Sequence, residues 1–413
     1  MDAPGFTNLL IVVAVAFAVP FVLGLLSRVR LPSVVLELVL GIVIGPAVLG
    51  WVEIDETVSV VALVGLVFLL FLAGLEIEFE HLRGRVLKVT GLAWLGSFAI
   101  AVVVAYVLKG AGLVQTPLLV AVILSATSLG VIIPVLKDAG EIATPFGQLV
   151  VAAGTIADFG AIILLSVLFT GEGGTTATLL LIAALLGMAA VLYAVVTGAE
   201  RSRLVMADLQ HLQDTTAQIR VRGAIVVLIA FAALAESLGL EVILGAFAAG
   251  AVLTLVDRDR YMTHPQFRLK LEAIGFGLFI PVFFISSGIR FDLDALVSSM
   301  DAFVMVPAFL LALLVIRGLP ALAYRAGVGS RRAVVAGLFQ ATSLPFIVAA
   351  TAIGQELGLI DGAESAALIA AGLLSLLIFP LAGLTILRGG GGSELGDGDV
   401  PVGTDRQRPL AVQ

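Results

Sequence analysis

Thirteen stretches of mostly apolar residues follow one another along this chain, near 6–26, 31–51, 57–76, 87–108, 116–136, 146–169, 176–197, 221–238, 240–256, 271–289, 302–324, 332–354 and 364–387. A helix of roughly 20 apolar residues crosses the hydrocarbon of a bilayer. Inside lipid every backbone polar group must find a partner within the protein, which leaves helices and closed barrels. Barrel strands alternate apolar and polar residues over about ten positions, whereas these runs are continuously apolar and longer. The expected fold class is therefore an all-α polytopic membrane protein with about 13 transmembrane helices. Composition agrees: 60% of the 413 residues are hydrophobic and 13% charged, more apolar surface than a soluble interior can hide. The start, Met-Asp-Ala-Pro-Gly, has no basic region and no convincing cleavage site follows, so the first run is expected to be retained. Spans 8 and 9 are divided only by Gly239 and its neighbours.

The basic residues test this count independently. Lys109 and Arg290 alone fall in the N-terminus and the even-to-odd connections, 2/3 through 12/13. Arg28, Arg30, Arg83, Arg85, Lys88, Lys137, Arg201, Arg203, Arg220, Arg222, Arg258, Arg260, Arg268, Lys270, Arg325, Arg331, Arg332, Arg388, Arg406 and Arg408 fall in the other connections or the C-terminal segment, and Arg317 lies inside span 11. An error in the count would scramble this alternation. The positive-inside rule then predicts a multi-pass protein of the cell (plasma) membrane, N-terminus outside and C-terminus cytoplasmic. Residues 389–413 open on Gly-Gly-Gly-Gly and stay polar, so they are expected to form a disordered cytoplasmic tail. That tail is too short for a regulatory nucleotide-binding domain, and membrane lipid, not nucleic acid, is the expected surrounding partner. There is no cysteine, and His81, His211 and His264 all fall in polar connections, which excludes a histidine or thiolate metal cluster in the membrane.

Short internal similarities link spans seven apart. Leu36-Glu37-Leu38-Val39-Leu40-Gly41 in span 2 matches Leu240-Glu241-Val242-Ile243-Leu244-Gly245 in span 9, and Ala126-Thr127-Ser128-Leu129 in span 5 matches Ala341-Thr342-Ser343-Leu344 in span 12. An odd offset makes paired spans antiparallel, the pattern of inverted-topology repeats in secondary transporters, here spans 1–6 and 8–13. Spans 5 and 12 read as broken helices: Thr127 and Ser128 precede Gly130 and Pro134, and Thr342 and Ser343 precede Pro345. Proline removes a backbone donor, hydroxyls cover freed backbone groups, and two interrupted helices at corresponding places point to a binding site whose exposed carbonyls suit a cation. Gly41, Gly45, Gly245 and Gly250 would allow close helix contact within a scaffold or subunit interface.

Few ionisable residues lie deep in spans. Asp158 is central in span 6, within Gly154-Thr155-Ile156-Ala157-Asp158-Phe159-Gly160. A charged side chain there costs about 3 kcal/mol to insert, so it should face the interior and bind something. A carboxylate can hold a proton or a cation, and competition between them couples their movements if the empty form crosses poorly. Arg317 stays charged and must pair with a carboxylate or with carbonyls at a broken helix end, or snorkel to the cytoplasmic side; a structural role is favoured. Glu37, Glu76, Glu236 and Glu241 lie near span ends and read as interfacial, with Glu76 the auxiliary candidate for testing.

Leu31-Pro32-Ser33-Val34-Val35-Leu36-Glu37, running into Gly41-Ile42-Val43-Ile44-Gly45-Pro46, resembles the second helix of the monovalent cation:proton antiporter superfamily, and Phe71-Leu72-Ala73-Gly74-Leu75-Glu76 resembles its third. Leu244-Gly245-Ala246-Phe247 and Ile280-Pro281-Val282-Phe283-Phe284 look like further family elements. The similarity spans residues 6 to 387 and is nearest to the bacterial sodium/proton antiporter and potassium-efflux branch. It implies two crossing broken helices in a mobile core (within 87–169 and 302–387), a dimerising scaffold (within 6–76 and 221–289) that makes a homodimer, and elevator-type exchange of Na⁺ or K⁺ for H⁺ without a cofactor. It also implies that Asp158 is the essential aspartate, Thr127 and Ser128 the unwound segment beside it, Thr342 and Ser343 its partner, and Arg317 a family basic position. The residue before the essential aspartate, often Asp or Asn in the family, is Ala157. One central carboxylate points to electroneutral exchange, and Thr155, one turn earlier, could supply a hydroxyl. The alternatives are a cation channel or gated K⁺ efflux pathway on the same scaffold and a sodium-coupled organic-anion symporter with Arg317 as anchor; no catalytic constellation suggests an enzyme.

Overall fold

The computed structural model describes residues 6–25, 32–76, 84–169, 218–237, 242–256, 265–297 and 300–388, with single positions at 183, 187, 190 and 194. Everything regular among them is helical. In the first half the helices are α1 (Thr7–Leu25), α2 (Ser33–Ile44), α3 (Glu56–Leu75), α4 (Gly84–Gly110), α5 (Pro117–Ser125), α6 (Leu129–Asp138) and α7 (Pro145–Phe169). In the second half they are α8 (Ile219–Ser237), α9 (Val242–Val256), α10 (Pro265–Ile274), α11 (Ile280–Ile289), α12 (Leu293–Val297), α13 (Met300–Ala321), α14 (Arg325–Val328), α15 (Ser330–Gln340), α16 (Pro345–Glu356) and α17 (Gly362–Arg388). Nine helices or helix pairs among the described residues are long and apolar enough to cross a membrane. With the shorter α2 and α9 and the 19-residue α8, twelve of the thirteen apolar runs hold a helix. The seventh run, the segment carrying Glu241, the three histidines and the tail 389–413 lie outside the described residues, the four single positions in the seventh run apart.

One span is shorter than expected. α2 has only 12 residues and stops at Gly45, whose ψ of 179° is extended. The next residue is Pro46, and a proline ring disfavours the helical conformation in the residue before it. Glu37, expected at a span end, is instead buried at 4% exposure inside α2.

The helices pack in two sets. In one, α3 lies against α9 and α11, α2 against α11, α8 against α9, and α1 against α2. In the other, α13, α15 and α17 pack mutually, α4 lies against α5, α7 and α13, and α5 meets α16. Glycine sets the closeness of the first: a Cβ on Gly41 would stand 2.2 Å from the Ile285 carbonyl oxygen of α11, and one on Gly250 would stand 2.1 Å from the Phe71 carbonyl oxygen of α3. The anticipated close glycine contacts are thus made within the chain. Span 2 meets span 10 as span 9 meets span 3, the exchange of partners that an inverted repeat demands. Between the sets, Phe159 of α7 meets Phe247 of α9 with ring centroids 5.6 Å apart.

Polar contacts between connections obey the alternation read from the charges. Asn8 Nδ2 donates to Asp55 Oδ2 at 3.0 Å and Gln115 Nε2 to Asp361 Oδ2 at 2.7 Å, joining connections of one face. Arg268 pairs with Glu76 at 3.4 Å and Arg332 with Glu141 at 3.3 Å on the other. The first face is acidic, with Asp55, Glu56, Asp292, Glu356 and Asp361; the second is basic, with Lys137, Arg268, Arg331, Arg332 and Arg388.

Candidate functional site

Both predicted breaks are present, and they touch. Span 5 unwinds between α5, which ends at Ser125, and α6, which starts at Leu129; span 12 unwinds between Gln340 and Pro345. Pro345 opens α16, where its missing N–H leaves no bond unmade. Pro134 lies inside α6 and past the break, so it does not cause the unwinding. The segments cross through one backbone bond: Ser128 N–H donates to the Thr342 carbonyl at 2.9 Å. Unwinding leaves backbone groups without helical partners, and in a buried place each needs another.

Side chains supply those partners. The Thr127 N–H donates to Asp158 Oδ1 at 3.0 Å, so the central carboxylate of α7 caps the first break. The Ser343 N–H donates to Ser375 Oγ of α17 at 3.1 Å, so a hydroxyl caps the second. The Thr127 hydroxyl donates to the Gln340 carbonyl at 2.8 Å and accepts from Arg317 Nη2 at 2.8 Å. α7 can approach because residue 154 is glycine; a Cβ there would stand 2.4 Å from Leu129 Cδ2.

Arg317 is 2% exposed and does not snorkel. Among the described residues no carboxylate is in direct contact with it. Its Nη1 donates to Ser97 Oγ at 3.1 Å and its Nη2 to Gln340 Oε1 at 3.4 Å, while Ser97 Oγ donates to the Ile316 carbonyl at 2.6 Å. Arg317 and Asp158 thus meet through Thr127, whose hydroxyl contacts one and whose N–H contacts the other. A fixed positive charge lies one residue from the carboxylate without neutralising it by direct contact.

The free side of Asp158 faces a cavity of about 80 Å³ lined also by Thr127, Ser128, Thr155, Glu76 and Phe346. The Thr155 hydroxyl donates to the Val151 carbonyl at 3.0 Å, leaving its oxygen lone pairs available. Carboxylate, hydroxyl and carbonyl oxygens in one small cavity can hold a dehydrated monovalent cation, or a proton on the carboxylate alone. The cavity brings together Asp158, Thr127, Ser128, Thr155 and Glu76, while Thr342 and Ser343 stay in the crossing behind it. Ala157 is fully buried and is not part of the lining. The sequence reading missed Gln340, Ser97 and Ser375. A hydroxyl or amide in an apolar helix carries no signal of its own, though Gln340, two residues before the Thr342-Ser343 break, stands where one would look.

A family model described as sodium/hydrogen exchanger, transmembrane, matches residues 13–388. The chain belongs to the sodium/hydrogen exchanger family. A putative Na⁺/H⁺ antiporter of Bacillus subtilis is 30% identical over 389 residues, covering 91% of this chain and 62% of that protein. The chain therefore spans less than two thirds of that relative. The Na⁺/H⁺-K⁺ antiporter GerN of Bacillus cereus is 30% identical over 276 residues, covering 65% of this chain and 68% of that protein. Among solved structures, the sodium proton antiporter MjNhaP1 of Methanocaldococcus jannaschii shares the fold with a TM-score of 0.65 at 16% identity, over 92% of this chain and 96% of that one. The match makes residues 13–388 the transmembrane region of an exchanger-family protein.

Proposed function

We propose that this protein exchanges a monovalent cation, Na⁺ or K⁺, for H⁺ across the cell membrane, with Asp158 as the group for which the two ions compete. The observation that carries the reading is the Asp158 carboxylate capping an unwound backbone with its other side open to an oxygen-lined cavity. Relatives named as Na⁺/H⁺ and Na⁺/H⁺-K⁺ antiporters support both the reaction and the breadth of the cation. Thr127, Ser128 and Thr155 are the remaining cation-site oxygens in this reading, Glu76 an auxiliary acid at the basic end, and Arg317 the structural charge that holds the crossing. Thr342 and Ser343 are the partner segment.

Several finer features belong to the same proposal. The first helix set is the scaffold and the second the moving core; Phe159 against Phe247 and the cavity between the sets suit a sliding, elevator-type boundary. With one central carboxylate, one proton is exchanged for one cation and no net charge moves. The basic face is cytoplasmic, and two copies pair through scaffold helices. Arg317 directs four of its five N–H groups to Thr127, Ser97 and Gln340 and does not line the Asp158 cavity, which disfavours it as the anchor of an organic anion in a symporter.

Purified protein in liposomes decides the matter. Pulses of Na⁺, K⁺ or Li⁺ should each report whether protons are released, and Asp158→Asn should abolish the release. Proton release that survives Asp158→Asn would sink the mechanism. A rate that tracks a clamped membrane potential would count against one-for-one exchange.

A further inference from the structure

Glu364 is a buried acid with no part in the exchange reading above. It stands in the first turn of α17 at the acidic face and is 1% exposed. Asp361 caps that helix: its Oδ1 accepts the Glu364 N–H at 2.8 Å, where the helix dipole favours a negative charge. An acid at the position of Glu364 ordinarily turns back to the N–H of the capping residue. Glu364 reaches across to another span instead, and its Oε2 accepts the Gln115 N–H at 3.3 Å, just before α5. The Gln115 side chain donates to Asp361 Oδ2 at 2.7 Å, and the Thr116 hydroxyl donates to the Leu359 carbonyl at 2.7 Å. These bonds tie the start of α5, in the first broken span, to the connection that follows α16, in the second.

The two acids share the donors unequally. Asp361 takes one on each oxygen, whereas Glu364 Oε1 is buried and has no hydrogen-bond partner among the described residues. An ionised carboxylate has about four acceptor sites to satisfy, and two carboxylates sharing a site resist ionising together. The charges around Glu364 on the described residues are acids. Asp361 acts on it directly, and Asp292 Oδ2 lies 2.9 Å from where a Cβ on Gly362 would stand. α12 carries Asp294 and α16 ends on Glu356, while α5 has no charged residue. Of the two basic residues at this face, Arg290 donates to Ser59 Oγ at 3.1 Å and Lys109 lies exposed near the end of α4. The first half of the chain has no such acid. With α7 and α17 in register, Asp158 falls on Ser375, Thr144 on Asp361 and Gly147 on Glu364. Thr144 Oγ1 caps α7 by accepting the Gly147 N–H at 3.2 Å, so the repeat requires the cap and not the glutamate.

We propose that Glu364 is a second proton-binding site, set at the acidic face and off the exchange path, whose bound proton keeps the two broken spans tied at that end. The pair then bears a single charge, on Asp361, where the donors are. Glu364 stands about 16 Å along α17 from Ser375 at the crossing and does not line the Asp158 cavity. Gly362 and Ser365, on either side of it in the chain, line a crevice of about 690 Å³ at the acidic face, so the site answers to the pH of that side. Losing the proton sets two carboxylates against Gln115 and loosens the tie.

Melting curves of purified wild type and Glu364→Gln, which is neutral and similar in shape, test the site by sign. A proton held by the folded chain and absent from the unfolded one makes stability fall as pH rises. The two proteins should melt alike at about pH 5, and the wild type should then fall below the variant by roughly 2 °C per pH unit. An ionised Glu364 gives the opposite sign, with the variant melting below the wild type and the gap widening with pH. That result, or parallel curves, would overturn the site. In vesicles with the acidic face outward, raising the outer pH alone should slow cation-driven proton release by the wild type more than by Glu364→Gln. Equal slowing would overturn the tie. The melting comparison needs no transport, so failure of the exchange reading shows separately, as a wild type that releases no protons on a cation pulse.

Discussion

The two broken spans make the same bend and finish it with different chemistry. At the first, the freed Thr127 N–H is met by the carboxylate of Asp158; at the second, the freed Ser343 N–H is met by the hydroxyl of Ser375. Asp158 belongs to span 6 and Ser375 to span 13, the positions that an inverted repeat pairs. Both caps satisfy a backbone group that would otherwise cost about 1–3 kcal/mol if left buried and unpartnered. Only one of them carries a charge and lines a cavity. The Ser375 side is closed: its hydroxyl also contacts the Ser343 and Gly372 carbonyls, at 3.1 and 2.7 Å, and it is fully buried. Both halves build the crossing, and in the first the capping group also faces the cavity.

This difference can be broken by substitution. The largest effect should come from Asp158→Asn, which keeps an acceptor for the Thr127 N–H but removes the ionisable group. Exchange should fall to the protein-free background while the melting temperature in detergent barely moves. Next comes Arg317→Met, which strips donors from Thr127, Ser97 and Gln340 together and should cost about 3 kcal/mol of stability, seen as a lowered melting temperature. Thr127→Val removes the hydroxyl that accepts from Arg317 and leaves the N–H that donates to Asp158. A raised apparent KM for the cation, with a stability loss of about 1 kcal/mol, is expected from flux titrations. The smallest effect belongs to Ser375→Ala, again about 1 kcal/mol but with the cation KM unchanged. If Ser375→Ala silenced transport as Asp158→Asn should, the asymmetry between the halves would be lost.

What could be read from sequence followed from contrast. Asp158 stands out because nothing else near it is charged, and the breaks stand out because Thr-Ser pairs recur seven spans apart. Ser97, Gln340 and Ser375 offered no contrast, since lone polar side chains are common in membrane helices and their partners sit 23 to 220 residues away. Span length failed at α2 for a local reason, Pro46, that counting apolar residues passes over. The break in span 5 was found for partly the wrong reason: Thr127 and Ser128 mark it, while Pro134 is accommodated within α6.

The buried guanidinium has an electrical consequence. Arg317 lies in the set of helices proposed to move, one residue from the carboxylate proposed to change partners. With a proton or an alkali ion on Asp158, that set carries one net positive charge from this pair; with neither, the pair sums to zero. A membrane voltage would therefore pull equally on both cargo-bearing forms and cancel over a one-for-one turnover, while exerting no net force on the vacant one. Idle return of the vacant form would have to be resisted by the dehydration of a separated ion pair, not by the transfer of a bare charge.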